Sequence, residues 1–183
     1  MKKTILFGLT TLFLTIQVCG QTSNKTSQTS NQSVFKKLNE NGYSIQYPDT
    51  WDLDKSGQMG TSFILLSKPS STLDQFRENV NLMVQDLSGQ NIDLAKYVEI
   101  SEDQIKTMIT NGNLLESKKI NSNGVEFQRV IFTGKQGIYD LKFEQYYWIK
   151  EQKAFVLTLT CAINEFDNYK TEGERILNSF KVN

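Results

Sequence analysis

The sequence predicts an α+β fold: an antiparallel β-sheet flanked by helices on both faces, an α/β/α sandwich. Three observations lead there. First, residues 124–162 fall into three consecutive runs of period two, rich in aromatic and β-branched side chains, which is the strand signature. Second, the connections are short: Gly134 and Gly137 separate the first two runs, and Lys150-Glu151-Gln152-Lys153 separates the last two. Parallel neighbours would need a long crossover, so these runs are antiparallel. Third, both sides of the runs carry apolar residues, so both faces need cover, and two segments with a period of three and four, 91–111 and 163–183, can supply it.

Composition narrows the chemistry. The 183 residues hold 20 basic and 20 acidic side chains, a balance unsuited to a nucleic-acid partner, whose affinity rests on clustered Lys and Arg. There is no histidine. That excludes the Ser-His-Asp triad, the Cys-His pair, His-ligated zinc and a histidine proton switch.

Residues 1–20 read as an export signal, with Lys2 and Lys3 before an apolar stretch from Ile5 to Val18 that is short for a membrane span. Two readings of its end stay open. Val18-Cys19-Gly20 is a small-residue cleavage site leaving Gln21 first, or Cys19 is the lipid-bearing cysteine of a bacterial lipoprotein, with Val18 departing from that pattern. In the second case the chain is tethered to a membrane through Cys19; in the first it is periplasmic or secreted. Residues 21–34 are nearly all Gln, Thr, Ser and Asn, too polar to offset the entropy of ordering, and read as a flexible linker.

The domain spans 35–183. A strand, Tyr43 to Tyr47, ends in the turn Pro48-Asp49, with Trp51 beyond it. Residues 62–66 and 80–87 read as further strands around an irregular polar stretch, 68–79. In 91–111, Leu94, Tyr97, Val98, Ile105, Met108 and Ile109 share a helical face, Asp93 caps the start, and Ser101 followed by Gln104 suggests a break near Ile100. A strand at 115–120 turns through Asn121-Ser122-Asn123-Gly124 into the three central runs. In the last segment Phe166, Tyr169, Gly173, Ile176, Leu177 and Phe180 line one face and Asn164 is placed to cap it. Gly173 costs that helix about 1 kcal/mol against Ala unless its backbone presses on the sheet.

Gly42-Tyr43-Ser44-Ile45-Gln46-Tyr47-Pro48 with Trp51, and Glu165-Phe166-Asp167-Asn168-Tyr169 with Ile176-Leu177-Asn178-Ser179-Phe180-Lys181, resemble the PsbP-like family of PsbP, Mog and DcrB-like exported proteins. The resemblance covers residues 35–183. It implies the layered sandwich and mostly non-catalytic binding roles. Metal sites of plant members involve histidine, so none is carried over to this chain.

Residue chemistry adds little to an enzyme reading. Cys161 shares the apolar side of its run with Phe155, Leu157 and Leu159 and reads as core. Asp52, Asp54 and Ser56 lack the glycine and terminal glutamate of a calcium loop. No G-x-S-x-G elbow, S-x-x-K motif or phosphate-binding glycine loop occurs. Tyr146 and Trp148 share a side with Lys142 and Glu144, which leaves two readings: the rings pack in the core under the helices, or, as part of a mixed charged and aromatic face, they line an interaction surface. The expectation is therefore an exported, non-catalytic binding or accessory protein of the cell envelope, with no catalytic, cofactor or metal residues and an unnamed protein or small-molecule partner. A carboxylate-dependent hydrolase and a small-ligand or lipid carrier are the alternatives.

Overall fold

The computed structural model describes residues 34–72 and 74–183; the export signal, Cys19 and the linker lie outside the described residues. Ten strands and two helices follow in order: β1 Phe35–Glu40, β2 Tyr43–Pro48, β3 Asp52–Asp54, β4 Thr61–Leu66, β5 Asn79–Asp86, α1 Leu94–Met108, β6 Thr110–Ser122, β7 Val125–Gln136, β8 Tyr139–Lys150, β9 Lys153–Ala162, α2 Phe166–Asn178 and β10 Lys181–Val182. They form two sheets, one of seven strands in the order β3-β4-β5-β9-β8-β7-β6 and one of three, β1-β2-β10. Every pairing is antiparallel.

The central meander stands, β7 through β9, with Gly137 at positive φ in the first turn and Glu151 and Gln152 at positive φ in the second; Gly134, expected between the first two runs, lies inside β7 and pairs with Leu141. Two left-handed central residues give a turn whose twist matches the strands it joins. α1 is continuous through Ile100, and its N-cap is Asp93, whose carboxylate accepts from the Lys96 amide at 2.8 Å. α2 begins one residue later than expected: Glu165, not Asn164, occupies its N-cap.

The α+β class holds, but the α/β/α sandwich does not. Large side chains alternate along β8 between two core clusters. Tyr146 and Trp148 join Phe155, Leu157, Leu159, Phe166, Ile176, Leu177 and Phe180, together with Tyr43, Ile45 and Tyr47 of the small sheet. Tyr147 joins Tyr97, Val98 and Ile105 of α1, with Val130, Phe132 and Val156. Thus α2 shares its layer with the three-stranded sheet, and α1 leans chiefly on β6, β7 and β8. The helices do not make a layer on each face. A sheet of seven strands is about 29 Å across at the usual strand spacing, whereas one helix is only about 10 Å wide.

Three short strands escaped the sequence reading: β1, β3 and β10. None carries a periodic signal of its own length. β6 is longer than expected at 13 residues because it continues directly from α1. Gly112 permits this, since a Cβ there would collide with the Ile105 carbonyl oxygen.

Candidate functional site

Of the two readings of Tyr146 and Trp148, the interaction surface gives way to core packing: they are buried, with 4% and 7% of their surface exposed. The reason is the aromatic packing around them. Phe127 stacks on Trp148 with centroids 5.3 Å apart, and the Phe180 ring meets Trp148 at a tilt, with centroids 5.0 Å apart. The Tyr146 ring lies 4.9 Å from Phe127, and its hydroxyl donates to Asn178 Oδ1 of α2 at 3.4 Å. These rings are core. Burial holds the Tyr146 phenol protonated far above its ordinary range, with the Glu144 charge reinforcing the shift.

The charged residues of the same face form a clasp beneath α2. Arg129 of β7 donates Nε to Glu144 Oε1 of β8 at 2.6 Å, Nη1 to Glu116 Oε1 of β6 at 2.8 Å and Nη2 to Glu174 Oε1 of α2 at 3.3 Å. One guanidinium thereby joins three strands and a helix, a geometry that its planar fork allows and a lysine cannot reproduce. Glu144 is fully buried, and its Oε2 has no hydrogen-bond partner among the described residues. Burial works against the charge on Arg129, but the hydrogen bond and charge of Glu144, with Glu116, outweigh it and raise the guanidinium's pKa.

A second group gathers where β4 ends and β5 begins. Glu78 is 2% exposed. Its carboxylate lies 3.4 Å from the Ser67 hydroxyl, which donates to it, while the Ser67 amide donates to the Glu78 carbonyl at 2.8 Å. Burial raises the Glu78 pKa; hydrogen bonds from its own amide and that of Ala162 oppose the rise, and the charge of Asp74 adds to it. The register pairs Asn79 with Thr160, so Glu78 sits beside Cys161. Burial, then the charges of Glu78 and Glu144, push the Cys161 thiol up, which disfavours the reactive thiolate. Tyr169 is raised too, by burial first and then by Glu78. Trp51 Nε1 donates to Glu172 Oε1 of α2 at 2.6 Å and meets Tyr169 edge-on.

The acids of the β3 segment, which do not match a calcium loop, have protein partners. Asp52 pairs with Arg77. Asp54 accepts from the Ser56 amide at 2.7 Å and from Gln58 Nε2 at 2.6 Å. Those bonds hold its carboxyl below the usual range.

An exposed apolar end of the large sheet was not foreseen. Ile138, in the β7–β8 turn, is 76% exposed, and Ile163, just after β9, is 50% exposed. The Ile163 amide donates to the Asp140 carbonyl at 3.0 Å, which sets the two residues at the same end of adjacent strands. Tyr139 packs on Phe76 there, with centroids 5.2 Å apart, and donates its hydroxyl to the Gln75 carbonyl. Isolated turn residues carry no periodicity, so no local pattern announces this patch. No helix among the described residues is long and apolar enough to cross a membrane.

No protein-family profile and no curated protein sequence matches the chain. Solved structures do. The chain is similar to the cyanobacterial PsbP, CyanoP, of Synechocystis sp. PCC 6803, with a TM-score of 0.61 and 14% identity over 87% of this chain and 98% of that one. It is also similar to LpqN of Mycobacterium tuberculosis, described as involved in cell envelope biogenesis, with a TM-score of 0.58 and 13% identity over 83% and 92% of the two chains. PA94 of Pseudomonas aeruginosa, a protein of unknown function, aligns with a TM-score of 0.57 and 14% identity over 79% and 94%.

Proposed function

From the PsbP-like fold that this chain carries, we propose an exported, non-catalytic binding or accessory protein of the cell envelope. The observation that carries the reading furthest is the likeness, over most of both chains, to LpqN, which is described as involved in cell envelope biogenesis. The leader with Lys2, Lys3 and Cys19 supports export. The partner is a protein, and it docks at the apolar end where exposed Ile138 and Ile163 accompany the half-buried Phe76–Tyr139 pair, because grouped apolar surface marks contact sites more often than single residues do.

Intact mass in the native host tests export. A lipid mass on Cys19 in the membrane fraction, or a chain beginning at Gln21 outside the cytoplasm, supports the reading. A chain that keeps Met1 and stays in the cytoplasm refutes it. Docking is tested separately with a photo-crosslinking residue at position 138 and another at exposed Lys96. An adduct formed from 138 and lost in Ile163→Asp supports the patch; the same adducts from both positions would rule it out.

One observation favours a second reading, the carboxylate-dependent hydrolase: burial raises the Glu78 carboxyl, the direction that favours the protonated form a general acid donates from. Glu78→Gln would abolish any hydrolysis that depends on it and would leave the cross-link from 138 intact.

A further inference from the structure

Three Asn-Gly pairs occur in the chain: Asn41-Gly42, Asn111-Gly112 and Asn123-Gly124. Each can form a cyclic imide, because a glycine puts no side chain in the way of its own amide nitrogen. We infer that Asn123 is the site at which the folded protein modifies itself by deamidation, and that the fold protects the other two pairs.

The distinction lies in what holds each glycine. Gly112 donates its amide to the Ile109 carbonyl at 3.0 Å, and its α-carbon is pressed so closely on the end of α1 that a Cβ would collide with the Ile105 carbonyl oxygen. The attacking nitrogen is engaged, and the peptide has no room to rotate. Gly42 sits in the β1–β2 turn, but its carbonyl accepts from the Asn183 amide at 2.9 Å, immediately beyond β10, which ties the turn into the three-stranded sheet.

Asn123-Gly124 is neither pressed on a helix end nor tied to a third strand. Both residues lie in left-handed conformation, at φ 52° and 79°, in the two-residue turn between β6 and β7. Residues 121 through 126 are all exposed, and a Cβ on Gly124 would meet nothing within 4 Å. The Gly124 amide donates only to a side chain, Asn121 Oδ1 at 3.2 Å. Ring closure needs the peptide to swing out of the turn, and a hairpin tip without packing opens at low free energy.

The chemistry is hydrolytic throughout. The Gly124 nitrogen gives up its proton to solvent base and bonds to Asn123 Cγ. The side-chain nitrogen takes up a proton and leaves as ammonia, closing a five-membered imide. Water then opens the imide at either carbonyl, giving aspartate or isoaspartate, and nothing is oxidised or reduced. The aspartate form keeps the hairpin, since Asp-Gly suits this turn as Asn-Gly does. The isoaspartate form inserts an extra backbone carbon at the tip and shifts the Ser122–Val125 pair.

The test incubates the full folded protein in mildly alkaline buffer at physiological temperature and follows three tryptic fragments, 38–55, 107–118 and 120–129, by mass and chromatographic splitting. Fragment 120–129 is expected to convert several-fold faster than the other two, with the modification at Asn123. In denaturant the three are expected to convert at comparable rates. Equal rates in the folded protein, or faster loss from Asn41 or Asn111, would overturn the inference. So would a folded ranking that survives denaturation, because the fold would then not be its cause. Asn123→Gln is expected to silence conversion at this tip with a small fall in the unfolding midpoint, because Gln fits a left-handed position less well than Asn.

Discussion

Glu144 gives one oxygen to Arg129 and keeps the other, equally buried, without a donor. Such a carboxylate depends on its single cation. Arg129→Met should therefore cost about 3 kcal/mol in urea unfolding, because it strands the charge on Glu144, whereas Arg129→Met with Glu144→Leu should recover most of that loss. A double variant as unstable as the single one would show that the clasp contributes more than charge balance. Glu78 poses the opposite case, a buried acid without a cation. Its raised pKa means that the folded state holds a proton which the unfolded chain, at its ordinary value of 4.5, has already released. Stability from Glu78 is thus fully present below pH 4.5 and is lost as pH rises through the window up to the folded value. Glu78→Gln should match the wild type in acid and gain on it toward neutrality, as melts across that range would show. Neither residue's role was legible in the sequence. Lys142 and Glu144 put charge on the same side of β8 as Tyr146 and Trp148, and the arginine that lets Glu144 go inside belongs to a different strand.

At the scale of elements, what was legible is what the chain writes locally. The meander and α1 have long, regular periods and local caps, and they stand where periodicity put them. β1, β3 and β10 have six, three and two residues, and each is a strand only because a partner elsewhere accepts its hydrogen bonds. Gly173 in α2 shows how local preference yields to packing. A Cβ there would lie 2.5 Å from Leu159 Cδ2 of β9. Alanine would favour the helix by about 1 kcal/mol, but overpacking of this kind costs about 1–3 kcal/mol. Gly173→Ala should be destabilising on balance, and in a Leu159→Ala background the same change should become favourable. A thermodynamic cycle of the four proteins measures that reversal.

Across the whole molecule, the two core clusters meet through the alternating residues of β8, so disturbance in one should be felt in the other. The apolar end at Ile138 and Ile163 was not legible because it is assembled from separate turns, and no window of sequence contains both. Tyr146 and Trp148 illustrate the converse, since their partners Phe127 and Phe180 lie on other elements. Removing residues 180–183 takes away Phe180, with its contacts to Tyr43, Trp148 and Phe155, and all of β10. The shortened protein should lose several kcal/mol, on the scale of about 3–5 kcal/mol for a deleted core phenylalanine, and limited proteolysis should cut first in 35–48.

The small sheet takes β1 from its beginning and β10 from its end, with β2 between them. It behaves as a buckle whose two halves are made at different times. A chain still emerging from a ribosome can lay down most of its large sheet, yet it cannot fasten β2 on both sides until residue 182 is free. Cleavage at a loose β2 would therefore report whether residues 181–182 have joined the small sheet.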